Sequence, residues 1–294
     1  MAKNTGVDAV IAGKFAMLAQ KNGDRELDFE NHIYFIQPKL DGVRCIIRKD
    51  GAFSRNGKSF KNVEHILEEL KPLFDYAPEL ILDGELYNHD LKEDFGKIIS
   101  LVRKTKRITE MDRMESKKLI QFHNYDVFDT KREGLTYVER LDLMRHIQYK
   151  YNLLYTRAVS THRIDNKLKL DLLHKINKQQ GYEGSMVRNN MPYEPGKRSW
   201  TLQKVKDWSD TEFTILDYVE GKGKFAGGLG KFLGFDADGR DIEVPWPDIT
   251  IEKRKEVFNN IGDYIGKVAT FEFFERTKDG AYRFPRFKGI RDYE

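Results

Sequence analysis

Gln37-Pro38-Lys39-Leu40-Asp41-Gly42-Val43-Arg44 decides how the rest of this 294-residue chain is read. The apolar run Ile33-Tyr34-Phe35-Ile36 before it and Val43 to Arg48 after it are strand-like, and Asp41-Gly42 is turn chemistry. Lys39 therefore stands between two strands, next to a turn that fixes its backbone. A lysine amine attacks phosphorus only when neutral, and with a free pKa near 10.4 fewer than about one in a thousand are neutral at pH 7. Arg44, a bound cation and partial burial would each disfavour the ammonium form. A depression of about 2–3 units costs roughly 3–4 kcal/mol. Taken alone, the segment is better read as an ordinary hairpin with a solvated lysine.

Further segments along the chain change that balance. Asp83-Gly84-Glu85-Leu86-Tyr87 follows a short buried run, Leu80-Ile81-Leu82, and sets a carboxylate where a sugar hydroxyl can bond it. Glu183-Gly184-Ser185-Met186-Val187-Arg188 repeats the plan, a carboxylate before a strand and an arginine after it. Lys204-Val205-Lys206 projects two ammonium groups from one face of a strand, because strand side chains alternate. Two such charges repel each other unless a polyphosphate lies opposite. Singly, Glu85 and Glu183 are better read as ordinary turn carboxylates, and Lys204 and Lys206 as a solvent-facing strand side. All of them in this order are hard to attribute to chance.

Between these segments the spacing predicts a helix over 63–73 with Pro72 near its end, helices over 94–103, 137–151 and 166–179, and strands over 119–128, 185–188 and 201–206. This mixture is α+β with a mostly antiparallel sheet. After Trp208 the texture turns to short strands (213–219, 230–235, 242–244, 268–274 and 281–284) with one helix over 252–261. About five strands and a helix in about 85 residues indicate a small closed barrel. The polar link Asp207-Trp208-Ser209-Asp210 puts the domain boundary at 1–208 and 209–294, with a hinge there.

A hydrophobic fraction of 39% supports a packed core, and no apolar run is long enough to span a membrane. Met1 to Gly6 lacks the apolar heart of a secretory signal. Cys45 is the single cysteine, which excludes an internal disulfide and a multi-cysteine zinc site and fits a reducing, cytoplasmic setting. The formal charge is +4, unevenly spread: residues 1–207 hold 37 Lys/Arg against 30 Asp/Glu, and residues 208–294 hold 14 against 17. The densest basic run is Arg103-Lys104-Thr105-Lys106-Arg107, continued by Arg113, Lys117 and Lys118. Such a run can neutralise nucleic acid phosphates, although alone it is better read as a solvated helix face. Five histidines (His65, His89, His123, His162, His174) follow no metal-ligand spacing and read as structural or surface residues. The glycines at 221–230 open no Gly-Lys-Ser/Thr helix, so they read as barrel turns carrying Lys222, Lys224 and Lys231 near DNA.

The ordered set Lys39 to Arg44, Asp83 to Tyr87, Glu183 to Arg188 and Lys204 to Lys206 resembles the nucleotidyltransferase motifs of ATP-dependent DNA ligases. The tail Arg283-Phe284-Pro285-Arg286-Phe287-Lys288-Gly289-Ile290-Arg291 and the stretch Tyr193 to Trp200 are similar to that family in particular. The resemblance implies a nucleotidyltransferase (adenylation) domain with antiparallel sheets plus a C-terminal OB-fold β-barrel. It implies Lys39 as the AMP-bearing nucleophile, Gln37 at the position that reads the adenine amino group, and Glu85 on the ribose. Glu183 would hold the metal with Glu85. Lys204 and Lys206 would contact the α-phosphate, and Arg44, Arg55 and Arg198 the AMP or the DNA 5′-phosphate. Tyr125 is the expected adenine-stacking ring, with Phe128 as the alternative. Arg55, Arg103, Lys104, Lys106, Arg107, Lys222 and Lys224 are the expected DNA contacts. Arg291 matches the first residue of the motif that orients pyrophosphate, where Tyr293 and Glu294 replace the usual Asp and Lys. ATP and Mg²⁺, with Mn²⁺ as a substitute, are the implied cofactors.

The implied substrate is nicked duplex DNA, sealed by a monomer that closes around it. Neither a separate N-terminal DNA-binding domain nor a long barrel insertion is expected. An RNA ligase or capping guanylyltransferase would use the same lysine, as would, less readily, a longer NAD-dependent ligase with a cysteine cluster. A binding module that has lost catalysis is the alternative from another class; it would keep the basic run and barrel but would not need Lys39, Glu183, Lys204 and Lys206 together.

Overall fold

The computed structural model describes residues 15–22, 26–92, 94–277 and 279–291. The chain forms two compact units and passes from one to the other between Lys206 and Asp207. The first begins with strands β1 (Leu18–Lys21), β2 (Tyr34–Lys39), β3 (Val43–Arg48) and β4 (Gly51–Ser54), then helix α1 (Glu64–Tyr76) and β5 (Leu80–Tyr87). Helices α2 (Phe95–Val102) and α3 (Glu110–Leu119) lead to β6 (Gln121–Asp129) and α4 (Tyr137–Tyr151). Strands β7 (Thr156–Ala158) and β8 (His162–Ile164), helix α5 (Lys167–Gln179) and strands β9 (Gly184–Asn189) and β10 (Arg198–Val205) complete it.

These strands make two five-stranded sheets, ordered β1-β10-β9-β2-β8 and β4-β3-β5-β6-β7. All pairings are antiparallel except β1 with β10 and β6 with β7. Period-two alternation explains why both sheets are buried on both faces. In β3, Val43, Cys45 and Ile47 face the helical side, packing with Ile66 and Leu70 of α1 and Met144 of α4. Ile46 faces the opposite way and meets Ile81, Phe128 and Leu202 between the sheets. Tyr34, Ile36 and Val187 turn outward from β2 and β9 onto Leu170 of α5. Each fully buried Ile or Leu contributes roughly 1.5–3 kcal/mol, so these three layers carry the fold.

The second unit holds β11 (Ser209–Glu220), β12 (Leu229–Asp236), β13 (Asp241–Pro245), helix α6 (Ile251–Asn259), β14 (Val268–Phe273), β15 (Glu275–Arg276), β16 (Tyr282–Arg283) and β17 (Arg286–Ile290). One curled antiparallel sheet runs β13-β12-β11-β14-β17 around Phe213, Phe232, Phe271 and Phe287, with Val257 of α6 closing the core. The expected barrel is open: among the described residues β13 and β17 do not pair, and the seam is filled by Trp246 against Phe287 at 4.4 Å between ring centroids. The buried Arg254 guanidinium donates to the carbonyls of Leu229 and Trp246, which ties α6 to that seam.

Three element assignments need correction. α1 runs through Pro72 to Tyr76: the proline removes one intrahelical bond and crowds the turn before it, and the buried Leu70, Leu73 and Phe74 on either side hold the helix together. Part of the basic run after Arg107 is helix α3, started by a reciprocal Thr109–Asp112 capping box. The last barrel strand is β17, because 281–284 supplies only the two-residue β16 of a small hairpin with β15. No helix among the described residues is long and apolar enough to cross a membrane.

Candidate active site

β2 and β3 belong to different sheets, so Leu40-Asp41-Gly42 is a crossover between sheets and not a hairpin turn. Gly42 is required there: a Cβ would lie 2.5 Å from the Leu86 carbonyl oxygen. Lys39 is the half-buried last residue of β2, at one end of the layer between the sheets. The same layer is apolar further in, at Ile46, Ile81 and Phe128, and turns charged toward this end, at Arg44, Asp83 and Glu85. Strand alternation places Asp83 and Glu85 on one face of β5, and Arg44 on the matching face of β3 opposite Glu85.

Register brings the carboxylate of Glu183 to Lys39. Lys39 pairs with Gly184, and the Glu183 N–H donates to the Lys39 carbonyl at 3.1 Å. A Cβ on Gly184 would sit 2.4 Å from the Val205 carbonyl oxygen, so only glycine lets β9 and β10 approach this closely. One oxygen of Glu183 accepts from the Lys39 ammonium and the other from Lys206. Burial pushes the Glu183 carboxyl up, but the two ammonium groups outweigh it and hold the group below the usual carboxylate range. Burial lowers the Lys206 pKa; Glu183 opposes this, and Lys39 and Lys204 add to it. Lys206 lies one residue beyond β10, while Lys204 is on the strand opposite Met186. Two ammonium groups pair with one carboxylate and Lys204 lies near Lys206, so the cluster carries net positive charge that suits a polyphosphate.

Glu85 is pushed up to about 8 by burial, with Lys39 and Arg44 pulling against the rise. The Tyr125 hydroxyl donates to Glu85 at 3.4 Å. Arg44 grips Asp83 through Nε at 2.9 Å and Nη2 at 2.5 Å and donates to the Met17 carbonyl. Tyr193 completes this lock, donating to Asp83 at 2.7 Å and accepting from the Met17 N–H at 2.9 Å. Burial opposes the Arg44 charge, but Asp83 keeps its pKa well above the ordinary arginine value. Of the two candidate aromatics, Phe128 is sealed in the layer between sheets against Phe15 and Tyr193. Tyr125 is half-buried beside Glu85. Gln37 is buried below Tyr125 with its amide engaged by Arg188, Thr161 and the Tyr125 carbonyl.

The remaining sequence candidates lie apart from these contacts. Arg55 is exposed in the turn after β4, and Arg198 donates to the Ala19 carbonyl, fastening β1 to β10. Arg103 caps α2, Lys104 pairs with Asp112 of α3 at 2.7 Å, and Lys106 and Arg107 are exposed between the two helices, with Arg107 at φ +51°. Lys222 and Lys224 are exposed in the turn between β11 and β12. Arg291 pairs with Glu212 of β11, and Tyr293 and Glu294 lie outside the described residues. His65 and His174 are buried on the Ile120 carbonyl and the Ser185 hydroxyl, as expected of structural histidines. Among the described residues no group of three or more metal-ligating side chains is preassembled. Asp83, Asp126, Thr161 and Tyr193 belong to the site's framework without having been singled out from the sequence. Asp83, Asp126 and Tyr193 each adjoin a sequence motif, but nothing local marks a residue whose partner is 110 positions away.

Comparison with known proteins gives the same two-part division of motifs. Residues 16–206 match the model of the ATP dependent DNA ligase domain, and residues 220–291 match that of the DNA ligase OB-like domain. A DNA ligase of African swine fever virus is 30% identical over 206 residues, covering 66% of this chain and 46% of the viral protein. The chain thus spans about half the length of that relative. A Haemophilus influenzae DNA ligase is 29% identical over 278 residues, covering 87% of this chain and 89% of its own length. A solved structure described as a minimal-scaffold Lig E DNA ligase superposes with a TM-score of 0.76 at 22% identity, covering 94% of this chain and 99% of the other. At that identity the likeness speaks for the fold, a nucleotidyltransferase unit followed by an OB-like unit.

Proposed function

The chain belongs to the ATP-dependent DNA ligase family, and on that premise we propose that it seals nicks in duplex DNA through a covalent Lys39-AMP intermediate. The observation that carries the proposal is the cluster of Lys39, Glu183 and Lys206 at the end of β2, with Glu85 and its partner Tyr125 close by.

The reaction divides into three phosphoryl transfers. The neutral Lys39 amine attacks the α-phosphorus of ATP; the P–N bond forms as the bond to pyrophosphate breaks, and the amine's proton leaves to solvent. Tyr125 stacks on the adenine and Glu85 accepts from the ribose. Next, a 5′-phosphate oxygen at the nick attacks the same phosphorus, the P–N bond breaks and Lys39 regains a proton. Last, the 3′-hydroxyl attacks the 5′-phosphorus, forming the phosphodiester and releasing AMP. Lys204 and Lys206 stabilise the equatorial oxygens of the α-phosphate in the first two transfers. Arg44, already held by Asp83, is aimed at the AMP or the 5′-phosphate with minimal reorganisation. Glu183 and Glu85 are the carboxylates that fit a divalent cation, since Mg²⁺ typically takes one or two carboxylates plus phosphate oxygens, and Mn²⁺ suits the same donors. Such a cation supplies charge neutralisation on the phosphates.

The enzyme acts as a monomer in the cytoplasm, gripping duplex DNA by phosphate contacts from Arg55, Arg103, Lys104, Lys106, Arg107, Lys222 and Lys224, because nicks occur in any sequence. Arg198 contributes to nucleotide binding, and Arg291 has the role of orienting pyrophosphate. The proposal is tested by intact-mass analysis after incubation with ATP and Mg²⁺. An AMP adduct on the parent protein, absent in Lys39→Ala, is expected, followed by sealing of a nicked duplex. An adduct formed from GTP alone, or none from either nucleotide, would overturn it.

A further inference from the structure

Tyr125 occupies an irregular place in β6. Asp83 pairs with Asp126, but the next residue, Gly84, pairs with Asn124, so Tyr125 is the extra residue of a β-bulge. A bulge re-aims one side chain and leaves that residue's backbone groups outside the ladder. A buried carbonyl left so needs another donor.

Gln37 meets this need. It is 2% exposed, and its amide is fixed in orientation by its partners: Arg188 can only donate and a backbone carbonyl can only accept. Gln37 Oε1 accepts from Arg188 Nε at 2.7 Å, while Nε2 donates to the Tyr125 carbonyl at 3.3 Å and to Thr161 Oγ1 at 2.9 Å. Tyr137 adds a weaker bond to the same carbonyl at 3.4 Å. Arg188 lies with its guanidinium 5.3 Å from the Tyr125 ring centroid and is anchored by the fully buried Asp126 at 2.6 Å. One amide thus holds both the backbone of Tyr125 and the cation against its ring.

We propose that Gln37 is a positioning residue: it sets the Tyr125 ring that receives the adenine by clamping the bulged carbonyl and Arg188 together, and does not itself read the adenine amino group. This rests on the assignment of Tyr125 as the stacking ring. A carboxylate at position 37 would keep the Arg188 bond but set an acceptor against the Tyr125 carbonyl, so glutamine and glutamate are not equivalent here.

The test measures KM and kcat of AMP-adduct formation for the parent, Gln37→Glu, Gln37→Met and Tyr125→Ala. Each uses ATP and the purine riboside triphosphate that lacks the 6-amino group. Gln37→Glu and Gln37→Met should raise KM on the order of tenfold, the effect of one lost buried hydrogen bond, with kcat little changed. The factor should be the same for both nucleotides, and Gln37→Glu should add nothing in a Tyr125→Ala background. A penalty seen with ATP but absent with the deaminated nucleotide would show direct base reading and overturn the proposal, as would additivity with Tyr125→Ala. If Gln37→Met does not fold by its thermal transition, Gln37→Glu alone decides. Tyr125→Ala leaving KM unchanged would instead remove the stacking assignment beneath it.

Discussion

Glu85 has a cost built into its position. In the protein free of cation and nucleotide its carboxyl, pushed up to about 8 by burial, is largely protonated at neutral pH, whereas the unfolded chain ionises near the ordinary value of 4.5. Between those two values the native state binds more protons, so this residue's contribution to stability is intact below about 4.5 and is lost as pH rises through about 8. A glutamine in its place would be indifferent to pH. The Glu85→Gln protein should therefore gain thermal stability over the parent as pH is raised from 5 to 9, while losing adduct formation through its weakened ribose contact. Thermal melts of both proteins across that range check it, and parallel pH profiles would refute it. Glu183 has the opposite sign: held below 4.5 by Lys39 and Lys206, it stabilises above that value and loses the effect as acid protonates it. Both carboxylates were visible in the sequence as motif members. Their contrast was not, because it depends on how many ammonium groups touch each one.

Among the elements, α3 bears out the reading of its basic run as a solvated helix face, while its start signal went unused. Thr109 and Asp112 make a reciprocal capping box, and Asp112 also holds Lys104 from the preceding link. The Thr-x-x-Asp spacing is written in the chain, but the flanking basic residues and a polar helix with one buried residue, Ser116, hid the helical period. Thr109→Ala should cost about 1 kcal/mol, the usual worth of an N-cap, and a urea titration should show the midpoint moved with the slope kept. The bulge in β6 is the contrary case. Nothing in Gln121 to Asp129 announces it, since the alternation of apolar and polar residues breaks at His123-Asn124 and Val127-Phe128 and is kept at Tyr125-Asp126, and an irregular strand and a two-sided core strand look alike at that length. The crossover at Leu40–Gly42 was equally hidden: a turn between two strands reads as a hairpin whichever sheets they join.

For the whole molecule, the uneven charge makes a prediction that the +4 total does not. If the exposed link between α2 and α3 grips phosphates, removing two of its cations removes two counterion-releasing contacts. Lys106→Ala/Arg107→Ala should weaken binding to nicked duplex and reduce the slope of log affinity against log salt by about 1.8, while AMP-adduct formation on the free protein stays at the parent level. An unchanged slope would take this link out of the DNA interface. The domain order is another whole-molecule property that the sequence carried well. The fall in helix-forming periodicity after Trp208 marks the second unit, and aromatic strand residues such as Phe213, Phe232 and Phe271 become its core.

Residue types and their spacing set the chemistry available: a lysine beside an Asp-Gly turn, two carboxylates in or next to strands, a lysine pair, and enough alternating apolar residues to bury two sheets. These are local facts, set by residue type and by the period of a strand. Only the tertiary structure decided which groups face one another. Glu183 reaches Lys39 because β9 pairs with β2 in one register, Arg44 is spent partly on Asp83 because β3 and β5 are neighbours, and Gln37 lies under Tyr125 because a bulge in the second sheet turns a carbonyl toward the first. Register and inter-sheet packing are collective outcomes of many burials, so no short stretch of residues specifies them alone.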